Sequence, residues 1–315
     1  MQQEKIVIIG AGHVGSHCAY ALAHCGVCRE IVLTDILPDK AAAQALDVAD
    51  SVSYLPQDVT VRAGALSECA DAALVVVAIG EARQPGQTRL DMMDDAIATT
   101  KDIIPLIQAS GFDGIIISIS NPCDIIAEYL QYKLDWPKDR IIGSGTALDS
   151  ARLQMQLASQ LEVNRRSVTA YLLGEHGDSS MIPWSHVLVA GKPIDELLAE
   201  EPEKYRMDSK EDILWKVHRG GYFENDGKGC TEFGVASATA ELVRAIFHNE
   251  HKILPCSVYL DDLYGVKDTF ASVPVKVGAK GVEDIISIHL TPEEQAEFEA
   301  SIKVLKEHFQ RALTL

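Results

Sequence analysis

His176 lies in the run Gly174-Glu175-His176-Gly177-Asp178-Ser179, directly after a strand-like stretch. A histidine beside glycine in a polar turn is not at a core-packing position. Its ordinary pKa of about 6.5 makes it the side chain suited to carrying protons near neutrality. Alone, it is also compatible with a plain surface-loop histidine. Asp149-Ser150-Ala151-Arg152 opens a helix-like stretch, and the i, i+3 spacing puts carboxylate and guanidinium on one face. That is either a local ion pair or a working one. The Asp could hold a histidine in one tautomer, and the Arg could grip a carboxylate with its two-pronged fork. A third segment, Ala82-Arg83-Gln84-Pro85-Gly86-Gln87-Thr88-Arg89, follows a strand ending near Ala78 and Gly80. Its Pro and Gly mark a loop. It leaves the carboxyl edge of a sheet, where ligands bind in such folds, and its two arginines oppose the charge of the rest of the chain.

A fourth segment points to a dinucleotide. In Gly10-Ala11-Gly12-His13-Val14-Gly15 the glycines follow a strand and open a helix. The first permits the tight turn and the second admits a pyrophosphate close to backbone. The third lets the helix pack on the strand. Asp35 follows about 20 residues on, where a carboxylate can accept from a ribose diol and would repel a 2′-phosphate. Ile36 beside it offers such a phosphate no partner, so NAD is favoured over NADP. His13 and Val14 in the turn, and Gly80 after the fourth strand, are assigned to the same cofactor. Tyr129-Leu130-Gln131-Tyr132-Lys133 has the Tyr-x-x-x-Lys spacing of short-chain dehydrogenases. Here the glycine spacing differs, and an ordinary helix is the better reading.

These groups need a frame. The first half alternates short apolar runs (6–9, 31–34, 59–61, 74–78, 115–119, 141–142) with helical stretches (14–25, 39–53, 91–108). This implies a parallel sheet with helices on both faces, a doubly wound α/β fold of Rossmann type. The second half reads as an α+β substrate domain. It has a helix near 147–161, a strand at 168–173 and an exposed connection at 196–212. Helices at 211–222 and 232–248 follow, then strands at 257–259, 273–277 and 285–288. Thr291-Pro292-Glu293-Glu294 starts a closing helix with a capping box. The expected division is 1–143 and 144–315, with the boundary near Gly143.

Bulk properties narrow the function. The chain has 315 residues, 47% of them hydrophobic and 23% charged, as in ordinary globular proteins. The net charge of −18 disfavours nucleic acid and anionic membrane surfaces as partners. An anionic substrate would therefore need cations inside its pocket. No run of about 20 apolar residues suggests a membrane span, and no signal segment is expected ahead of the first strand. Seven scattered cysteines do not form a disulfide framework, so a reducing cytoplasm is expected. Cys25-Gly26-Val27-Cys28 reads as two partly buried free thiols, and His248-Asn249-Glu250-His251 as a solvated helix end. No metal is expected to take part.

Together the segments resemble the L-lactate/L-malate dehydrogenase superfamily over nearly the whole chain. The resemblance rests on the glycine turn, Thr88-Arg89, Ser120-Asn121-Pro122, Leu148 to Arg152 and Gly174 to Asp178. It implies that His176 is the acid/base, Asp149 its partner and Arg152 the substrate carboxylate clamp. Arg89 would close over the substrate and polarise its carbonyl, and Asn121 would bond the carbonyl and support the nicotinamide. The substrate would be a small 2-oxo or 2-hydroxy acid. At the position of Arg83, malate enzymes carry arginine, which pairs with a second carboxylate; pyruvate's methyl leaves that charge unpaired. Arg89-Leu90-Asp91, Pro183 to His186 and Lys228-Gly229-Cys230-Thr231 instead resemble lactate-type segments, with Thr231 beside the substrate. Gly220-Gly221-Tyr222 and Gly227-Lys228-Gly229 resemble L-2-hydroxyisocaproate dehydrogenase. L-lactate or a related L-2-hydroxy acid is the expected substrate, with malate as the alternative and a non-catalytic NAD-binding protein as a remote one. The resemblance also implies a homo-oligomer, a tetramer ahead of a dimer. It places an effector site for fructose 1,6-bisphosphate at Gln154 and Thr169; neither is cationic, so no activation is expected.

Overall fold

Every residue of β1 (Lys5–Ile9), β4 (Leu74–Val77) and β5 (Ile115–Ser118) is buried. Aliphatic side chains on both faces of a strand need helices on both sides, and parallel strands joined by crossovers provide them. The computed structural model describes residues 4–80 and 92–315. In it, β2 (Glu30–Thr34), β3 (Thr60–Ala63) and β6 (Ile141–Gly143) complete a parallel array in the order β3-β2-β1-β4-β5-β6. Helices α1 (His13–Cys25), α2 (Pro38–Val52), α3 (Met93–Ser110) and α4 (Cys123–Leu134) alternate with the strands. The order reverses between β1 and β4. The carboxyl ends of those two strands therefore open a crevice, the ligand position of such sheets.

The second half contains α5 (Ala147–Gln160), β7 (Val168–Thr169), β8 (Leu188–Val189), β9 (Lys192–Pro193), α6 (Ile194–Glu200), α7 (Lys210–Lys228) and α8 (Phe233–Phe247), then β10 (Lys252–Leu263), β11 (Val266–Gly278), β12 (Gly281–Ile285) and α9 (Pro292–Thr314). It is not a separate stack of layers. β10 pairs antiparallel with β6 at Ser257 and Gly143, so β10, β11 and β12 extend the first sheet to nine strands. One apolar core runs through both halves of that sheet and includes Phe270 and Phe298. A second core, with Leu153, Leu157, Leu172, Ile194 and Ile213, lies under the small sheet β7-β8-β9.

Several elements depart from the sequence expectation for identifiable reasons. The expected strand over 168–173 is regular only at Val168–Thr169. Beyond it, side chains of α5 and of the N-cap residue before it take backbone groups: Thr146 Oγ1 donates to Leu172 O, Leu172 N donates to Ser150 Oγ, and Gln154 Nε2 donates to Ala170 O. The connection expected over 196–212 holds α6, which buries Ile194 and Leu197 and carries Asp195 and Glu196 in its first turn, where the helix dipole favours them. β10 and β11 run on through Pro255 and Pro274, which sit opposite each other in the register, although sequence rules treat proline as a strand breaker. β12 covers Gly281–Ile285 rather than 285–288. The capping box at Thr291 and Glu294 forms as expected. Cys28 is buried, with its thiol pushed up to about 12 by that burial, whereas Cys25 is exposed; both are free. Among the described residues no helix is long and apolar enough to cross a membrane.

α4 is buried on nearly all sides and carries Glu128 inward. Thr269 Oγ1 and Phe270 N both donate to its Oε2, yet burial outweighs them and pushes its carboxyl up to about 8. Between the ordinary 4.5 and that value, the folded protein keeps a proton that the unfolded chain releases. The stability from this group is fully present below the ordinary value and is lost as pH rises through about 8. Glu128→Gln keeps an acceptor oxygen and removes the titration. Its Tm, relative to the parent, should rise by a few degrees between about pH 5 and about pH 8 in a calorimetric series. A difference that stays flat or falls over that range would exclude this role for Glu128.

Candidate active site

The glycine turn closes the crevice from β1. Gly10 has φ +106°, and a Cβ there would lie 2.3 Å from Ala78 O. A Cβ at Gly15 would lie 1.8 Å from Gly10 O, so α1 can approach its own strand only with glycine in place. A Cβ at Gly12 would meet nothing within 4 Å. That open side is where the uncapped first turn of α1, beginning at His13, presents backbone N–H groups. Asp35 stands just beyond β2 and is fixed at both oxygens: Oδ2 accepts from Ala11 N at 2.8 Å and Oδ1 from Leu37 N at 3.0 Å. Ile36 next to it is 89% exposed and apolar. On the other side of the crevice, Gly80 follows β4 with φ +132° and open space around its Cβ position. Val14 and Asn121 share a cavity there, and Asn121 Oδ1 is buried with no hydrogen-bond partner among the described residues. An open glycine cradle, an oriented carboxylate and an orphaned amide oxygen fit a dinucleotide.

The second half supplies titratable groups to the same cavity. Asp149 and Arg152 project from one face of α5, both buried. Ser150 and Thr146 bind Leu172, so α5 is tied to the segment that leads to His176. The loop itself is pinned by paired backbone bonds between Gly174 and Ser272, by Glu175 N donating to Ser301 Oγ, and by Ser179 donating to Glu175 Oε2. The result is His176 Nδ1 at 2.5 Å from Asp149 Oδ2. An ionised carboxylate only accepts, so Nδ1 carries the hydrogen and Nε2 is left for exchange. Arg152 Nη1 lies 3.3 Å from Asp149 Oδ1, and its Nη2 donates to Glu224 Oε2 at 2.8 Å. Gly220 leaves room for that guanidinium, since a Cβ there would be 3.1 Å from Arg152 Nε.

His176, Arg152, Asn121 and Thr231 line one cavity of about 150 Å³, together with Tyr222 and Asn225. Among the described residues lining it, Arg152 is the one permanent cation. Arg83 and Arg89 lie outside the described residues. Gln154 and Thr169 line a second cavity of about 1050 Å³, along with Arg165 and Arg166. In that same cavity Arg244 and Lys252 are paired with Glu241.

Three contributors escape a linear reading. Asp124, in the first turn of α4, accepts from His176 N at 2.8 Å, and burial pushes its carboxyl up to about 6. An acidic residue amid Cys123, Ile125, Ile126 and Ala127 was its only signal. Glu224 engages the far prong of Arg152, and Tyr222 OH donates to Asp178 Oδ2 at 2.8 Å. Nothing in the spacing of α7 announces either contact.

Residues 4–143 match the family model described as lactate/malate dehydrogenase, NAD binding domain, and residues 146–315 match lactate/malate dehydrogenase, alpha/beta C-terminal domain. A protein named L-lactate dehydrogenase from Fusobacterium nucleatum is 37% identical over 98% of this chain and 97% of its own length. One named L-lactate dehydrogenase 2 from Lactococcus lactis subsp. lactis is 40% identical over 96% of each. The minor L-lactate dehydrogenase of Enterococcus mundtii in its ligand-bound form superposes with a TM-score of 0.94 at 39% identity, covering 99% of both chains. Its ligand-free form gives 0.89 at 38% identity, covering 99% of this chain and 98% of that one.

Replacing Asp35 by Ser should weaken NADH by roughly 10–100-fold, the worth of a charge-assisted hydrogen bond. It should also narrow the gap to NADPH, because the carboxylate that repels a 2′-phosphate is gone. Fluorescence titration of both nucleotides measures this. An unchanged NADH/NADPH ratio would remove Asp35 from cofactor selection.

Proposed function

Because the chain belongs to the lactate/malate dehydrogenase family, we propose that it is an NAD-dependent L-lactate dehydrogenase, interconverting pyruvate and L-lactate. The observation that carries this reading is the His176–Asp149 contact beside Arg152 in one cavity. Bound NAD supplies the hydride acceptor, and its reduced form the donor. The chain's own residues do the rest. Arg152 pairs with the substrate carboxylate through the fork it now shares with Asp149 and Glu224. His176 Nε2 holds a proton and delivers it to the carbonyl oxygen in reduction; in oxidation it takes the hydroxyl proton. Asp149 keeps Nδ1–H aimed and stabilises the imidazolium. Asn121 lines the same cavity as Val14 and His176, and the role assigned to its amide is to bond the carbonyl oxygen. Ile119, Leu148 and Val235 give the cavity apolar walls, which strengthen these polar contacts by keeping water out. Arg89 is assigned by resemblance, and its role is to add positive charge at the carbonyl oxygen.

Thr231 and the neighbouring Cys230 line the cavity and offer no positive charge to a second carboxylate, which supports a monocarboxylate substrate. Arg83 favours the second reading, a malate dehydrogenase, if it faces the substrate's C3 end. Division into residues 1–143 and 144–315, a homotetrameric assembly and a cytoplasmic setting are the family-level readings we attach to this function.

Steady-state kcat/KM with pyruvate, 2-oxoisocaproate and oxaloacetate should rank pyruvate or 2-oxoisocaproate first. An oxaloacetate preference overturns the lactate reading in favour of malate, and Arg83→Gln should then move the preference towards pyruvate. Fructose 1,6-bisphosphate should leave the pyruvate KM unchanged, since Gln154 and Thr169 bring no cation to the second cavity. A lowered KM would instead mean that Arg165 and Arg166 take their place.

A further inference from the structure

His13, Cys230 and Glu232 are distant in sequence and meet at one point. α1 packs against α8, so the first turn of α1 faces the short link between α7 and α8. Glu232 is buried there. Its Oε2 lies 3.3 Å from His13 Nδ1 and accepts from Cys230 Sγ at 3.3 Å. Ligand atoms of all three residues fall within 4.8 Å of one another. A tetrahedral zinc ion, with bonds of about 2.0 Å to nitrogen and oxygen and about 2.3 Å to sulfur, sets its ligands roughly 3.3–3.7 Å apart. The two measured separations are close to that spacing without rearrangement.

The surroundings orient the set. Lys228 donates to the other oxygen of Glu232, which aims Oε2 at the histidine and the thiol. His17 Nδ1 lies 3.4 Å from Oε2 and 2.7 Å from His13 O, and its ring packs edge-on against Phe233 at 4.8 Å. These are the outer contacts that hold a ligating carboxylate in place. Lys228 already neutralises Glu232, so a simple ion pair has no need of a histidine and a thiol crowded on the same oxygen. His13 is 73% exposed at its side chain, which leaves an entry path and room for water as a fourth ligand.

We propose that His13 Nδ1, Cys230 Sγ and Glu232 Oε2 form a site for a thiophilic divalent cation of the zinc class, separate from the proton chemistry of His176. On binding, the Cys230 S–H bond breaks, its proton leaves to solvent, and the thiolate bonds the metal; no electron changes hands. Thr231 lies between two of the ligands, so the metal ties the glycine turn to the segment beside the substrate cavity.

Cobalt(II) titration of the full chain without dinucleotide tests the site independently of activity. One cobalt should bind per chain, with a near-ultraviolet thiolate-to-cobalt charge-transfer band and the visible absorption of tetrahedral cobalt. Cys230→Ser should abolish the band. His13→Ala, at an exposed position that folding tolerates, should weaken binding by more than about 100-fold, beyond what loss of an outer contact costs. Cys25→Ser, which removes the exposed cysteine, should change nothing. Absence of the band in the parent chain, its survival in Cys230→Ser, or its loss in Cys25→Ser would overturn the proposal.

Discussion

The contact between His176 Nδ1 and Asp149 Oδ2 is the constraint around which the second half is arranged. A carboxylate buried as Asp149 is must be paired and hydrogen-bonded, because removing one partner of a buried ion pair costs about 3–5 kcal/mol. Arg152 from its own helix and His176 from a separate loop share that task. Both must be delivered to within hydrogen-bond range, so the loop cannot be left to choose its own shape. α5 fixes the approach through Thr146 and Ser150, while Ser272 and Ser301 hold the loop from behind. Asp124 completes the hold by accepting from the backbone of His176 itself. This side-chain bonding is also why the strand after Val168 ends early: the backbone groups of Ala170 and Leu172 are used to position α5, and pairing resumes only as a single bridge between Leu173 and Met181.

The sheet brings the cofactor side to meet this pair. Its order reverses between β1 and β4, which opens the crevice at their carboxyl ends. The glycine turn lines one edge of it, and Asn121, just after β5, lines another. Because β10 joins β6 at Gly143, the apolar core continues from the dinucleotide side to α9 and the loop behind His176. The two halves of the active site are thus anchored to one continuous sheet. That continuity supports the ångström-level placement a hydride and proton transfer requires.

Electrostatics works locally against the bulk. A chain with a net charge of −18 does not attract small carboxylates at long range. Arg152 supplies positive charge where a low-dielectric wall makes it count, and Glu224 and Asp149 hold that fork ready. Beside Cys230, which lines the cavity, Glu232 gathers Lys228, His13 and His17 at the junction of α1 and α8. This local polar cluster ties the glycine turn to the segment carrying Thr231.

The amino-acid sequence by itself carried the short-range information. The apolar runs, the spacing of Gly10, Gly12 and Gly15, Asp35 at the end of the second strand, and the i, i+3 pair Asp149 and Arg152 are local patterns. Each is set by backbone sterics or helix geometry that a few residues determine. They were sufficient for the doubly wound fold and for NAD as the cofactor. Tertiary structure decided what depends on distant segments meeting: the extension of the sheet through the opposed Pro255 and Pro274, the shortened strand at β7, and the supporting roles of Asp124 and Glu224. The same is true of the convergence of His13, Cys230 and Glu232. Hydrogen bonds and ion pairs act over a few ångströms whatever the separation along the chain, so linear spacing does not encode them until the fold has brought the partners together.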